Sequence, residues 1–169
     1  MAMSEDTPLT DDDVRAMLGE NAMPIKYSEL KDRSLDELLP PTGYHFQIIL
    51  LECAPSKGHW VCLCRNNGVL NYFNSYGKAF DKDLNVVPAC VRAILGETPN
   101  TIKNFLDGHE CSSMMTKLQG AKSETCGRYV VLRCSMGKLG YDNKEFVEWL
   151  SAQRNGKSFD ETIRTIVRN

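Results

Sequence analysis

The sequence predicts an α+β domain, and three observations carry that expectation. FQIILLE at 46–52 is a continuous apolar run, the pattern of a buried strand. Directly after it, WVCLCRN and VLNYFN are rich in β-branched and aromatic residues and flank Asn67-Gly68, the strongest short-range hairpin signal. Apolar residues at helical spacing lie before and after this block, so strands gather in the middle with helices on both sides.

Composition bounds the rest. The chain has 169 residues, 42% of them hydrophobic, enough for one globular domain with its own core. A net charge of −2 and a pI of about 5.9 offer nucleic acid no basic surface. No apolar run nears the roughly 18 residues of a membrane span. The acidic start, MAMSEDTPLTDDD, is unlike a signal peptide. Seven cysteines, an odd number without disulfide-framework spacing, point to free thiols in a reducing compartment. Most of them are expected as small buried hydrophobes.

Taken in order, Thr10 followed by DDDVRAML reads as a capped helix start, its acids favourable at the positive end of the dipole. Residues 24–41 read as irregular, with one helical turn before Pro40-Pro41. The strand at 46–52 and the hairpin follow. Val86, Cys90 and Ile94, with Val87, Val91 and Leu95, make 85–95 an amphipathic helix with Pro88 in its first turn. Phe146 and Leu150 mark a short helix, and Phe159, Ile163, Ile166 and Val167 mark another.

The hairpin turn fixes a register. A two-residue loop pairs Asn66 with Val69, which sets Val61 opposite Asn74 and His59 opposite Tyr76. His59 and Asn74 then share a face as diagonal neighbours, with Cβ atoms up to about 7–8 Å apart and an imidazole-to-amide hydrogen bond in reach. The competing account is a solvated His at a strand start and a turn-forming Asn at a strand end.

A second clue lies in KLQGAKSETCGRYVVLRC at 117–134. YVVL has strong β propensity, yet Ser123-Glu124-Thr125 is a plausible helix start, with Gly137 and Gly140 as stops. Residue by residue, helix and strand stay balanced. A helix starting at Cys126 would hold its sulfur at the positive end of the dipole, which lowers a thiol pKa. The competing account is a buried structural cysteine.

The order GHW, FNSYG, a Gln, then TCGRYVVL resembles the adenain-like cysteine proteases, a superfamily that also contains SUMO-deconjugating enzymes. It looks most like the maturation proteases of virophages, polinton-type elements and large DNA viruses. The likeness covers 46–150, with LGYDNKEFVEWL matching more loosely. It implies a central mixed β-sheet with flanking helices, a nucleophile at the N-terminus of a central helix and papain-like active-site geometry. One protease domain would then span 1–169: an arm at 1–41, a catalytic core at 46–150 and a C-terminal helix at 158–168.

The resemblance also implies roles. Cys126 would be the nucleophile and His59 the general base. Asn74 would orient the imidazole, where many relatives carry a carboxylate; papain-like enzymes use a neutral Asn there. An Asp at position 74 is expected to work nearly as well, and Asp81, the nearest downstream acid, lies beyond the strand. Gln119, seven residues before the nucleophile, would donate to the oxyanion beside the Cys126 backbone N–H. His45 and His109 read as structural or surface residues, and Trp60, opposite in face to His59, as core packing. No cofactor or metal is expected.

The expected activity is an endopeptidase acting on viral capsid or precursor proteins during virion maturation, inside the host cell or its viral factory and packaged in the virion. Nucleic acid is expected as a weak partner at most, and no membrane. One alternative is a protease that removes a ubiquitin-like modifier. Others are a non-catalytic module that binds such a modifier, or a zinc module built on Cys62-x-Cys64 with His59, or on Cys111 and His109. Alternation counts against the first zinc set, since Cys62 and Cys64 face away from His59.

Overall fold

The structure, a computed structural model, describes residues 7–54, 57–83 and 87–168. Five strands form one mixed sheet in chain order: β1 Ile25–Lys26, β2 Tyr44–Ala54, β3 Lys57–Asn66, β4 Val69–Phe73 and β5 Cys111–Ser113. β2, β3 and β4 run antiparallel, while β1 lies parallel to β2 and β5 parallel to β4. The α+β class therefore holds, with a mixed sheet and flanking helices.

The hairpin register is as expected as far as Phe73, but the expected Val61–Asn74 and His59–Tyr76 pairs do not form, because the chain turns at Asn74–Gly77. Asn66 pairs with Val69 and Cys62 with Phe73, around a turn in which Asn67 and Gly68 both take positive φ (48° and 88°). The helices are α1 Asp11–Leu18, α2 Leu35–Leu38, α3 Ala89–Leu95, α4 Pro99–Leu106, α5 Cys126–Gly137, α6 Asn143–Ala152 and α7 Phe159–Ile166. Capping boxes start α1 (Thr10 with Asp13), α6 (Asp142 with Glu145) and α7 (Ser158 with Glu161).

Each face of the sheet covers a separate core. On one face, α5 packs with α1, α6 and α7 over Ile48, Cys62, Cys64 and Phe73. Phe73 meets Phe146 edge-to-face at 5.3 Å, and truncating the fully buried Phe146 to Ala would cost about 3–5 kcal/mol. On the other face, the 3-10 segment Tyr27–Asp32, α2 and α4 cover Ile49, Val61, Leu63 and Tyr72. α5 is thus buried on almost all sides. Tertiary burial decides its state: YVVL has the wrong local propensity but supplies the apolar bulk that a central helix needs.

One expectation is corrected. The helix anticipated over 85–95 starts at Ala89 with Pro88 as its N-cap, and residues 84–86 lie outside the described ones. It buries none of its residues, and Ile94 is 83% exposed, so its apolar spacing does not mark a core face. Two short parallel strands had no signal, because two or three residues carry no readable period, whereas α4 was missed although Thr98-Pro99 opens it and Ile102, Phe105 and Leu106 fall at helical spacing.

Candidate active site

At the start of β3, where α5 begins, a cleft of about 1370 Å³ is lined by His59, Trp60, Asn74, Tyr76, Gln119 and Cys126 among others. All four residues named from the sequence as catalytic therefore line one cleft, and His59 and Asn74 are in direct contact there. Trp60 packs partly into the α5-side core, as its strand position required, and also borders this cleft.

Cys126 is the first residue of α5. The glycine after it is a packing requirement: a Cβ at Gly127 would lie 3.1 Å from Leu9 Cβ and 3.4 Å from Trp60 Cδ1. Backbone N–H groups of Trp60, Gly127 and Cys126 itself point at the sulfur and favour the thiolate, but burial outweighs them and pushes the thiol up. This corrects the expectation that the helix start alone would lower it.

His59 Nε2 bonds Asn74 Oδ1 at 2.7 Å, and its ring stacks on Tyr76 at 4.6 Å between centroids. Burial holds the imidazole down at about 4 against the opposing pull of Asn74. At neutral pH the resting pair is therefore an uncharged thiol and an uncharged imidazole. Since Asn74 Oδ1 accepts, Nε2 carries the proton and Nδ1 is left as the basic nitrogen.

The orientation of Asn74 is fixed from behind. Its Oδ1 also accepts from the Tyr76 backbone N–H at 2.8 Å, and its Nδ2 donates to Asp83 Oδ1 at 2.6 Å. The other oxygen of Asp83 accepts from the Tyr72 hydroxyl. Asp83 is 3% exposed, and burial pushes its carboxyl up to about 6. A buried carboxylate thus stands behind Asn74, one residue back from the histidine. Asp81, the acid considered from the sequence, is not a partner of Asn74.

Gln119 is buried, which removes the reading of an ordinary surface residue. Its Oε1 accepts from Ser75 Oγ at 2.6 Å and its Nε2 donates to Ser123 O at 2.7 Å, leaving the second amide hydrogen for a ligand. Asp160 of α7 ties this loop down, accepting from the Gly120 N–H at 2.9 Å and from Thr125 Oγ1 at 2.8 Å.

Asp83, Ser75, Tyr76 and Asp160 were missed as site residues, although the hairpin register set Tyr76 opposite His59 and the FNSYG string placed Ser75 nearby. The other histidines stand apart: His45 Nε2 bonds Thr42 O and the exposed His109 bonds Leu106 O. Among the described residues neither zinc set considered from the sequence assembles: Cys62 and Cys64 lie with Cys134 of α5, while Cys111 packs against the other core and the exposed His109 bonds Leu106 O.

No family model matches the chain. It is 30% identical over 151 residues to "Uncharacterized protein V9" of Sputnik virophage, covering 85% of each protein. The chain therefore belongs to the same family as this virophage protein. Among the described residues, no helix is long and apolar enough to cross a membrane.

Proposed function

We propose that this protein is a cysteine endopeptidase of the adenain-like kind. The observation that carries the proposal is the 2.7 Å bond from His59 Nε2 to Asn74 Oδ1, in the same cleft as a cysteine that opens a buried helix. In this reading His59 Nδ1 takes the Cys126 thiol proton as the sulfur attacks a peptide carbonyl, forming a C–S bond and an oxyanion. The free Gln119 Nε2 hydrogen and the Cys126 backbone N–H stabilise that oxyanion. The proton on His59 then passes to the leaving amine as the C–N bond breaks. Water, deprotonated by His59, hydrolyses the thioester and restores the thiol.

Asp83 acts as a positioning residue. Its carboxylate can accept but not donate, so it holds Asn74 with the amide N–H₂ outward and the carbonyl towards His59. Its negative charge also favours the imidazolium that forms during acylation.

Kinship with a virophage protein supports a viral substrate, a capsid or precursor polypeptide, over a ubiquitin-like modifier. The test is incubation of the purified chain with capsid precursors of a related virophage and with a SUMO-type precursor, with the cut sites mapped by mass spectrometry. Cleavage of the capsid precursor that disappears in Cys126→Ala is expected. Cleavage of the modifier alone would replace the substrate. Cleavage of neither, with Cys126 inert to a peptide electrophile, would overturn the enzyme reading.

A further inference from the structure

Away from the cleft, three buried thiols converge from two elements. Cys62 and Cys64 stand two apart on the α5 face of β3, and Cys134 comes from α5; their sulfurs all lie within 4.8 Å of one another. Beside them Arg133 is 1% exposed. Its Nε donates to Asn143 Oδ1 at 2.9 Å, but its buried Nη1 has no hydrogen-bond partner among the described residues. A guanidinium taken out of water needs a negative charge nearby, which deprotonated cysteines of this cluster would supply.

We propose that Cys62, Cys64 and Cys134 bind a thiophilic d10 cation as thiolates, with the Tyr44 hydroxyl as fourth ligand, and that zinc is the charge-matched ion. A tetrahedral zinc with sulfur at about 2.3 Å and oxygen at about 2.0–2.2 Å sets its sulfurs about 3.8 Å apart and its oxygen about 3.5 Å from each sulfur. The first distance falls inside the observed bound, and Tyr44 Oη lies 3.5 Å from Cys64 Sγ. That hydroxyl keeps its proton, donating it to Cys134 O at 2.7 Å. Cys111 is not a candidate for the fourth position, since it packs against the core on the opposite face of the sheet.

The charges close. A divalent ion, three thiolates and a neutral phenol sum to −1, which the Arg133 charge cancels; a cuprous ion would leave −2. Binding replaces three S–H bonds with three metal–sulfur bonds and releases three protons to solvent, with no change of oxidation state. With the three cysteines buried and Tyr44 half-buried, the ion enters as the chain folds, so its binding energy adds to folding. This site is independent of the protease reading.

The experiment refolds the full chain with Zn²⁺, and separately with Cu⁺ under reducing conditions, then passes it over a desalting column with a moderate chelator. Metal per chain is counted by plasma mass spectrometry. The expected result is one zinc per folded chain, lost in Cys134→Ala and kept in Cys111→Ala and Cys126→Ala. Tyr44→Phe, which preserves the ring, should bind about 10–100-fold more weakly. A Co²⁺-loaded wild type should show sulfur-to-cobalt charge transfer of three-thiolate strength. That spectrum decides the matter if Cys134→Ala does not fold. Folded wild type without zinc, zinc retained by Cys134→Ala, a cobalt spectrum of fewer thiolates, or retention of Cu⁺ alone would each overturn the zinc site.

Discussion

At one end of β3 and α5 a single sulfur, Cys126, meets three backbone N–H groups in an open cleft that the His59 imidazole also lines. About two turns further along the same helix, Cys134 meets two more thiols, a phenol and a buried guanidinium. Residue type, secondary structure and burial are nearly shared, so they do not separate the two sites. What separates them is the surroundings: an imidazole and an open cleft at one end, convergent soft donors and a cation at the other. On the readings proposed above, reactivity belongs to the first set and cohesion to the second.

The sharpest way to break this comparison is to remove one sulfur from each end. Cys126→Ala should abolish cleavage of a capsid precursor while leaving the thermal midpoint near wild type. Cys134→Ala should do the opposite, lowering stability by about 2 kcal/mol or more while the folded fraction still cleaves. Cleavage per folded molecule and a thermal melt, measured on both variants, check the pair. Loss of activity in both would mean that the core thiols support the cleft after all. Next in size, Gln119→Ala should reduce kcat by about 10²–10³ with KM little changed. An equal loss in KM would assign the residue to substrate binding instead.

Much of this was legible in the sequence where local rules and global fold agree. Asn67-Gly68 sets the register, which carries β4 along β3 as far as Phe73, and the turn that follows brings Asn74 to His59. Thr10 and its acids fix α1 in the same way. Legibility fails where a contact is made by chain closure rather than by pattern. Asp83 reaches Asn74 from an irregular turn nine residues on, and Cys134 reaches Cys62 across 72 positions. No periodicity announces either. At α5 local propensity pointed two ways and burial decided, and at Cys126 the helix dipole was outweighed by desolvation, a quantity that no single residue carries.

The Asp83 contact reverses one sequence-based expectation. An Asp at position 74 could accept from His59 as well as Asn does, but it would place a second carboxylate 2.6 Å from Asp83 where the amide now donates. Two like charges at that distance cannot both ionise, and one would hold a proton at neutral pH. Asn74→Asp should therefore lose roughly tenfold or more in kcat/KM, the scale of one misplaced hydrogen bond. Asp83→Asn should lose a similar amount, because an amide there no longer dictates which end of Asn74 faces the histidine. Combining the two restores one carboxylate and one amide in exchanged order, and the double variant should recover most of the activity. Additive losses in that cycle would count against the relay.

The smallest effect concerns pH, because two groups in this network oppose each other. The folded-state pKa of His59, about 4, lies below its ordinary 6.5. The unfolded chain therefore takes up a proton first, and stability worth about 3 kcal/mol is lost as pH falls from 6.5 towards 4. Asp83 runs the other way. Its folded-state pKa of about 6 lies above the ordinary 3.8, so the folded protein binds the proton first and gains a comparable amount as pH falls from about 6 to 3.8. In wild type the two slopes nearly cancel in that window, and the denaturation midpoint should change little from this pair. Asp83→Asn removes the compensating group and exposes the histidine, so its denaturant midpoint should drop steeply between pH 6 and pH 4. His59→Ala should show the reverse, a stability that rises as the pH is lowered through 6. Parallel midpoint–pH curves for the two variants would show that the buried charges of the cleft do not govern its acid stability.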